Sequence, residues 1–586
     1  MPKNKYAVRF KENVMSKLNV DQKPIYRLLS ERNTNFLIPD YQRPYAWNDD
    51  QCQTLWDDIF AFAIPNDNAF EFKDNEEYFL GSIVTFKNKA GKLEVIDGQQ
   101  RLTTIMLLLR AFYDKSKNMQ DDNSKSTRQK IAECLWQTDE FDKPNFDLLK
   151  IDSEVATDND KEEFLEILKT GNVRKEQKSN YANNFKFFQE KVNDFTDRYP
   201  TYFPHLPRRI MGNCILLPIE AESQETALRI FSTLNDRGLP LSDADIFKAQ
   251  LYKYYSDKGQ KKDFIDRWKK LETMCREIFN PISGTATDEL FTRYMYFIRA
   301  KQGNKASTTE ALRKFYEKDK YSLLKKDETL SDLEILTEFW EDVTEKNKTR
   351  FSEEVLKKLF VLKYAPNGMW TYFVSVYFMQ KKDESNELDN SKFIDFLTKT
   401  IAFVWAYAVR YPGVNALRTP IYAEMIKIVN NREIDFSDHK FDNNNIRTLL
   451  ENYSFNNNRP ITKSMLAWWA YMDVSQPLLD LNKSFDIEHI YARNRVPTVN
   501  SIEQLGNKIL LERRINIRAS DWRFADKIKY YKGYKDNSGK VKEGSEISEF
   551  ASLITLADFN EENIINRNKR ILDAFMKFLN DNGLLN

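Results

Sequence analysis

Apolar residues recur at two different periods along this chain, and the changes of period divide it. Tyr78 to Phe86 (YFLGSIVTF) and Lys92 to Ile96 read as two strands. The segment that follows Arg101, LTTIMLLLRAFY, switches to helical spacing, with Leu102, Ile105, Met106, Leu109 and Phe112 on one face. Ala227, Ile230, Phe231 and Leu234 make another helical face, which Gly238 ends. Ser242 with Asp245 three residues later predicts a capping box opening the next helix. Helical spacing also runs through Lys161 to Leu168, Asn180 to Phe195, Trp268-Leu271-Met274 and Phe393-Phe396-Leu397-Ile401. The polar stretch Asp114 to Lys130 predicts an insertion that includes a mobile loop. Alternation returns at Phe485-Asp486-Ile487-Glu488-His489-Ile490, a short strand. Pro497 and its polar neighbours predict a loop. Gly506-Asn507 opens a second apolar run, Lys508 to Leu511, and Asn516 follows on a helix.

Composition narrows the class without naming a function. A chain of 586 residues, 41% hydrophobic and 30% charged, has ample material for several cores, about three or four domains by length. The net charge of +1 excludes a global basic field, so any nucleic-acid surface is a local patch. The run Arg513 to Lys542, with Trp522, Tyr530, Tyr531 and Tyr534 interleaved, is the best candidate, a solvated face being the bland alternative. The four cysteines, Cys52, Cys134, Cys214 and Cys275, form no CxxC pair and precede the C-terminal stretch. They offer no structural zinc there and suit a reducing cytoplasm. Met369 to Met379 and Ile401 to Val409 are too short to span a bilayer and predict buried elements.

The C-terminal stretch carries the sharpest chemistry. Phosphodiester hydrolysis needs a base to activate water and a cation to stabilise charge on the phosphate and leaving oxygen. His489 is the residue type for the base. Glu488 and Asn516 are hard oxygen donors for Mg²⁺ or Mn²⁺. An acidic-His pair on a strand, an Asn after a loop and an Asn on the next helix resemble the HNH, or ββα-metal, nucleases. That resemblance implies His489 as general base, Glu488 and Asn516 as metal ligands, Asn507 as the brace of the base's loop, and Lys527 as a phosphate contact.

A second constellation lies in the N-terminal third. In Ile38-Pro39-Asp40-Tyr41-Gln42-Arg43-Pro44-Tyr45-Ala46-Trp47 the prolines hold an extended or turned segment. Tyr41, Gln42 and Arg43 there suit stacking on a base and gripping a phosphate, and a packed aromatic corner is an equal alternative. Asp97-Gly98-Gln99-Gln100-Arg101 places a glycine turn between a strand and a helix N-terminus, which suits phosphate. Asn235 and Arg237 sit on a turn between two helices.

Together IPDYQRPYAW, DGQQR and FSTLNDRG…LSDADIFKA resemble the ParB/sulfiredoxin-like N-terminal domain of the GmrSD family, modification-dependent (type IV) restriction endonucleases that commonly end in an HNH domain. The BrxU and SspE phage-defence nucleases share this architecture. The resemblance spans about Asn35–Gln250 and Phe485–Tyr531. It implies nucleotide binding by Asp97, Gly98, Gln99, Gln100 and Arg101 with Asn235 and Arg237, GTP or ATP being the nucleotide. It also implies double-stranded, modified phage DNA as substrate, a cytoplasmic location and no membrane partner, with a homodimer left open. The expected fold is α+β and predominantly helical: a nucleotide-binding domain (1–255), a helical connector (256–474) and an HNH domain (475–586). Two rival readings remain at this stage, a nucleotide-gated sensor of DNA modification with weak cleavage and an ATP-using protein-modifying enzyme anchored to DNA. Recognition of the modification is expected at Tyr41, Gln42 and Arg43, because a nuclease site contacts phosphate and reads little base chemistry.

Overall fold

Strand-forming runs in the first third collect into one mixed sheet, seen in a computed structural model that describes residues 19–586 except 33, 156, 157, 159, 175, 225, 229, 231–241, 309, 414, 481–482 and 493–500. In chain order the strands are β1 (Asn19–Val20), β2 (Lys23–Pro24), β3 (Phe36–Ile38), β4 (Tyr78–Lys87), β5 (Leu93–Asp97), β6 (Trp136–Thr138), β7 (Pro144–Leu149), β8 (Ile151–Ser153) and β9 (Cys214–Ala221). The sheet runs β1-β9-β4-β5-β3-β8, with β2 also on β9, and β6 and β7 pair separately. β4 and β5 form an antiparallel pair, while β3 pairs β5 and β9 pairs β4 in parallel. Asp97 therefore ends a strand with neighbours on both sides.

The helix Gln99–Ser116 follows β5 directly. The expected apolar face is buried, but so are Thr103, Thr104, Leu107, Leu108, Arg110 and Ala111 around its other sides. A helix covered all round is a core element rather than a surface one. Within the stretch 114–130 the helix Gln99–Ser116 ends, residues 117–121 follow, and the helix Asp122–Leu135 begins. The Asp121 carboxylate caps that helix by accepting from the Ser124 N–H at 2.8 Å, a start signal that outweighs the polar composition. The Ser242–Asp245 capping box forms as expected at the helix Asp243–Asp257. Phe231, Leu234 and Gly238 lie outside the described residues.

The chain divides into two compact units, residues 1–270 and 271–586. In the second, the helices Ala286–Lys301, Met369–Lys381, Asn390–Arg410, Arg418–Val429 and Pro460–Ala470 bury an aromatic-rich core that includes Trp405, Trp468 and the stacked pair Phe339–Phe378. The C-terminal region shares that core. Trp468 packs edge-on against Phe575, the Phe441 N–H donates to Leu584 O at 2.9 Å, and Arg447 pairs with Asp573 at 2.7 Å. Residues 271–474 and the C-terminal stretch thus belong to one compact unit. All four cysteines are free and buried, and no helix among the described residues is long and apolar enough to cross a membrane.

Candidate functional site

Two strands and a short helix build the C-terminal site. β10 (Phe485–His489) pairs antiparallel with β11 (Lys508–Glu512), Glu488 opposite Ile509 and His489 opposite Lys508. The helix Arg513–Ala519 follows at once and carries Asn516. Phe485 is buried in the core, while the consecutive Ile487, Glu488 and His489 at the end of β10 line one pocket. That pocket holds about 280 Å³, and Glu488, His489, Asn516 and Lys527 line it together with Asn457 and Asp521.

Asn507 fixes the loop that carries the histidine. Its carboxamide pairs with the Tyr491 backbone as a strand neighbour would, accepting from Tyr491 N–H at 2.8 Å and donating to Tyr491 O at 3.1 Å. It also donates to Ile502 O at 3.0 Å, and its own carbonyl accepts from Ile490 N–H at 2.9 Å. Gly506 is required by close approach: a Cβ there would stand 2.0 Å from the Ile564 carbonyl of the helix Glu561–Asp581. Arg567 of that helix, buried and paired with Glu549, donates to the carbonyls of Leu505, Gly506 and Lys508 at 3.0, 3.0 and 2.7 Å.

Glu488 is nearly fully buried, and its Oε1 accepts from Lys527 Nζ at 2.8 Å and Tyr531 OH at 2.7 Å. Lys527 also donates to His489 O at 2.7 Å. Burial pushes the Glu488 carboxyl above its usual range, opposed chiefly by the Lys527 charge. As placed, Lys527 positions Glu488 and the His489 backbone, and it also lines the pocket. His489 Nε2 lies 3.7 Å from Glu503 Oε1, and the other Glu503 oxygen accepts from the buried Lys508 at 2.6 Å. Lys508 is held in turn by Asn457 Oδ1 at 3.0 Å and by Phe455 O. Ser520, at the end of the Asn516 helix, adopts φ 43° and ψ −142°, a strained conformation for a non-glycine residue beside a site. Of the expected basic and aromatic patch, Arg513, Arg523 and Trp522 are exposed, whereas Tyr531 is buried on Glu488.

Among the described residues no group of three or more His, Cys, Asp or Glu side chains is placed to hold a metal ion. The pocket's donor set of Glu488, Asn516 and Asp521 is all hard oxygen, which suits a hydrated Mg²⁺-like ion held by few protein ligands. Asn457, Asp521, Glu503 and Arg567 were not singled out from sequence, and Tyr531 was expected on a nucleic-acid face rather than on Glu488. Lys508 lies 51 residues from Asn457 and Leu505 lies 62 from Arg567, separations that no local pattern reports.

The N-terminal motifs also meet. Gly98 has φ +86°, and a Cβ on it would stand 2.9 Å from Ser82 O, so the turn admits glycine on two grounds. Gln100 clamps the segment 43–47, accepting from Ala46 N–H at 2.7 Å and donating to Pro44 O at 3.1 Å, and Gln99 donates to Arg43 O at 3.2 Å. Arg101 donates to Ser82 O at 2.9 Å, its guanidinium lying over Gly81 where a Cβ would be 2.7 Å away. Burial pushes Asp97 up, against the Gly98 N–H and the charges of Arg101 and Arg43. Gln99 Oε1 and Arg43 Nε are buried without a hydrogen-bond partner among the described residues. The helix Gln99–Ser116 starts with no side-chain cap. Anion-favouring groups thus gather at one turn.

Tyr41 and Gln42 are placed otherwise than a recognition loop requires. Gln42 is buried and donates to Val95 O and Ile96 O at 3.3 and 3.1 Å. Tyr41 is buried against Tyr252, rings 5.1 Å apart, and its OH lies 3.4 Å from Glu94 Oε2. The packed-corner alternative describes both, and Arg43 alone of the three stays half-buried. Asn235 and Arg237 lie outside the described residues.

Residues 25–252 match the family model described as GmrSD restriction endonuclease, N-terminal domain. No curated protein matches the chain.

Proposed function

We propose that this chain, whose residues 25–252 are an N-terminal domain of the GmrSD restriction endonuclease family, is a metal-dependent DNA endonuclease of phage defence that cleaves modified DNA under nucleotide control. The observation that carries the reading is the gathering of Glu488, His489 and Asn516 in one pocket on a strand–strand–helix unit, with Asn507 bracing the intervening loop.

In this reading His489 takes the proton as water attacks phosphorus, one P–O bond forming while the bond to the departing sugar oxygen breaks. The Glu503 carboxylate 3.7 Å from Nε2 favours the proton on that nitrogen, leaving the Nδ1 lone pair as the base, and stabilises the imidazolium formed. Glu488 and Asn516 would hold a divalent cation, Mg²⁺ or Mn²⁺, which when bound would supply charge stabilisation to the phosphate and leaving oxygen. Lys527 and Tyr531 orient the Glu488 carboxylate, and the exposed Arg513, Arg523 and Trp522 offer the duplex backbone a basic rim.

Control by GTP or ATP is assigned to the turn at Asp97–Arg101. The uncapped helix start, Arg43 Nε and Arg101 favour phosphate, and Gln99 Oε1 is an acceptor for a base or ribose hydroxyl. The test is incubation of modified and unmodified phage DNA with Mg²⁺ or Mn²⁺, with and without each nucleoside triphosphate. Metal-dependent cleavage of modified DNA that responds to nucleotide is expected. Absence of cleavage under every condition would return the protein to the sensor reading.

A further inference from the structure

The strand that leads into the C-terminal pocket carries a second carboxylate, Asp486, and cations gather beside it. Lys463 Nζ stands 4.0 Å from Asp486 Oδ1, and Arg513 Nε stands 3.7 Å from Oδ2. Both separations exceed hydrogen-bond length, so the carboxylate ties down neither cation. Lys463 also lies over the Tyr364 ring, 5.0 Å from its centre. The chain neighbours of these two residues complete the cluster. Ser464 Oγ donates to Tyr364 O, which joins the helix Pro460–Ala470 to the end of the helix Glu353–Leu362. That junction sets the exposed Lys363 near Lys463.

The charges at the junction are unbalanced. Burial holds the Lys463 ammonium below its usual range; Asp486 opposes this, while Lys363 and Arg513 add to it. Lys346, at the end of the helix Asp327–Glu345, is pushed down by burial and by Lys363, with Asp480 opposing. Arg513, Lys463, Lys363 and Lys346 thus face only Asp486 and Asp480 in these interactions. Lys363 and Lys346 end helices, where a cation is favoured and needs no further account. Lys463 is placed the other way. It closes the first turn of Pro460–Ala470, a turn without an acidic residue, at the positive end of the dipole. The helix, partial burial and cationic neighbours all disfavour a charge there, and a polyanion turns that repulsion into attraction. The cluster also borders the pocket, because Arg513 begins the helix that carries the pocket-lining Asn516.

We propose that Arg513, Lys463 and Lys363, with Lys346 beyond them, form a basic track that carries the DNA backbone from the C-terminal pocket onto the helical part of the second unit. This rests on the DNA-cleaving reading. Duplex DNA bears one charge per ~1.7 Å of axis, so a phosphate in the pocket brings others with it. The helices before the nuclease strands then serve as a platform for the duplex. Contacts of this kind hold phosphate and read no sequence.

Binding tests the track without any need for cleavage. Full-length protein in EDTA is titrated with a fluorescein-labelled duplex over a range of salt concentrations. Lys363→Gln, at an exposed position that leaves the fold alone, and Lys463→Gln should each reduce the slope of log K against log salt by about 0.9. Together they should weaken binding about tenfold at low salt. Lys577→Gln, which removes an exposed lysine paired with Asp581, should leave the slope as it was. Acetylation read by mass spectrometry should find Lys363 shielded by the duplex and Lys577 not. Unchanged slopes in both track variants, or an equal loss in Lys577→Gln, would overturn the proposal. Polyglutamate that displaces the duplex as readily as unlabelled DNA would also overturn it, in favour of an acidic protein partner. Slopes that shift as expected in a protein that cleaves nothing with any divalent metal would uphold the track and count against the nuclease reading alone.

Discussion

Lys527 and Glu488 form a buried ion pair inside the C-terminal pocket, Nζ to Oε1 2.8 Å, with neither side chain more than 5% exposed. The same ammonium holds the His489 carbonyl at 2.7 Å, so one cation aligns the carboxylate and the His489 backbone. Removing it strands a buried carboxylate, at a cost of about 3–5 kcal/mol. Lys527→Met should therefore lower the denaturation midpoint and cleavage together. A variant with unchanged stability and weakened DNA binding would instead make Lys527 a phosphate contact.

Asn507→Ala removes two donors and one acceptor from buried backbone partners, each orphaned group costing ~1–3 kcal/mol. Cleavage should fall while divalent-ion binding at Glu488 and Asn516, followed by Mn²⁺ paramagnetic resonance, persists. Loss of ion binding in a folded variant would show that Asn507 serves the cation rather than the base.

Gln42 supplies two hydrogen bonds to β5 carbonyls from a buried position. Gln42→Ala should destabilise the protein by about 1–3 kcal/mol and leave the preference between modified and unmodified DNA as it was. Wild-type stability with the preference erased would restore the recognition role expected from sequence.

How much was legible follows from the range of each interaction. The β10 and β11 strands, the Asn516 helix and the Ser242 capping box show in the chain because alternation, glycine-asparagine punctuation and cap spacing are local. Arg567 on the Leu505–Lys508 carbonyls and Asn457 at the pocket wall leave no such trace, their partners lying some 50 to 62 residues away. Gln42 shows a different limit. An amide that reads a base edge and an amide that ties a loop to a strand are the same letter, and only the direction of the side chain tells them apart.

Burial raises the Asp97 carboxyl above its ordinary value of 3.8. A carboxyl raised on folding binds more protons in the native state, so its contribution to stability is greatest at low pH. That contribution falls as pH rises from the ordinary to the raised value and is flat above it. Asp97→Asn should abolish this fall, so wild type should lose stability relative to the variant across that window in urea titrations. Parallel pH profiles would mean the carboxyl is not desolvated in solution.

The central claim is that phosphodiester cleavage is performed at the Glu488–His489–Asn516 pocket. Its most direct measurement is the cleavage rate of His489→Ala beside wild type, on modified DNA with saturating Mg²⁺ or Mn²⁺, circular dichroism confirming an intact fold. General-base catalysis predicts a loss of at least ~10²–10⁴-fold. A folded His489→Ala protein that cleaves at the wild-type rate would contradict it.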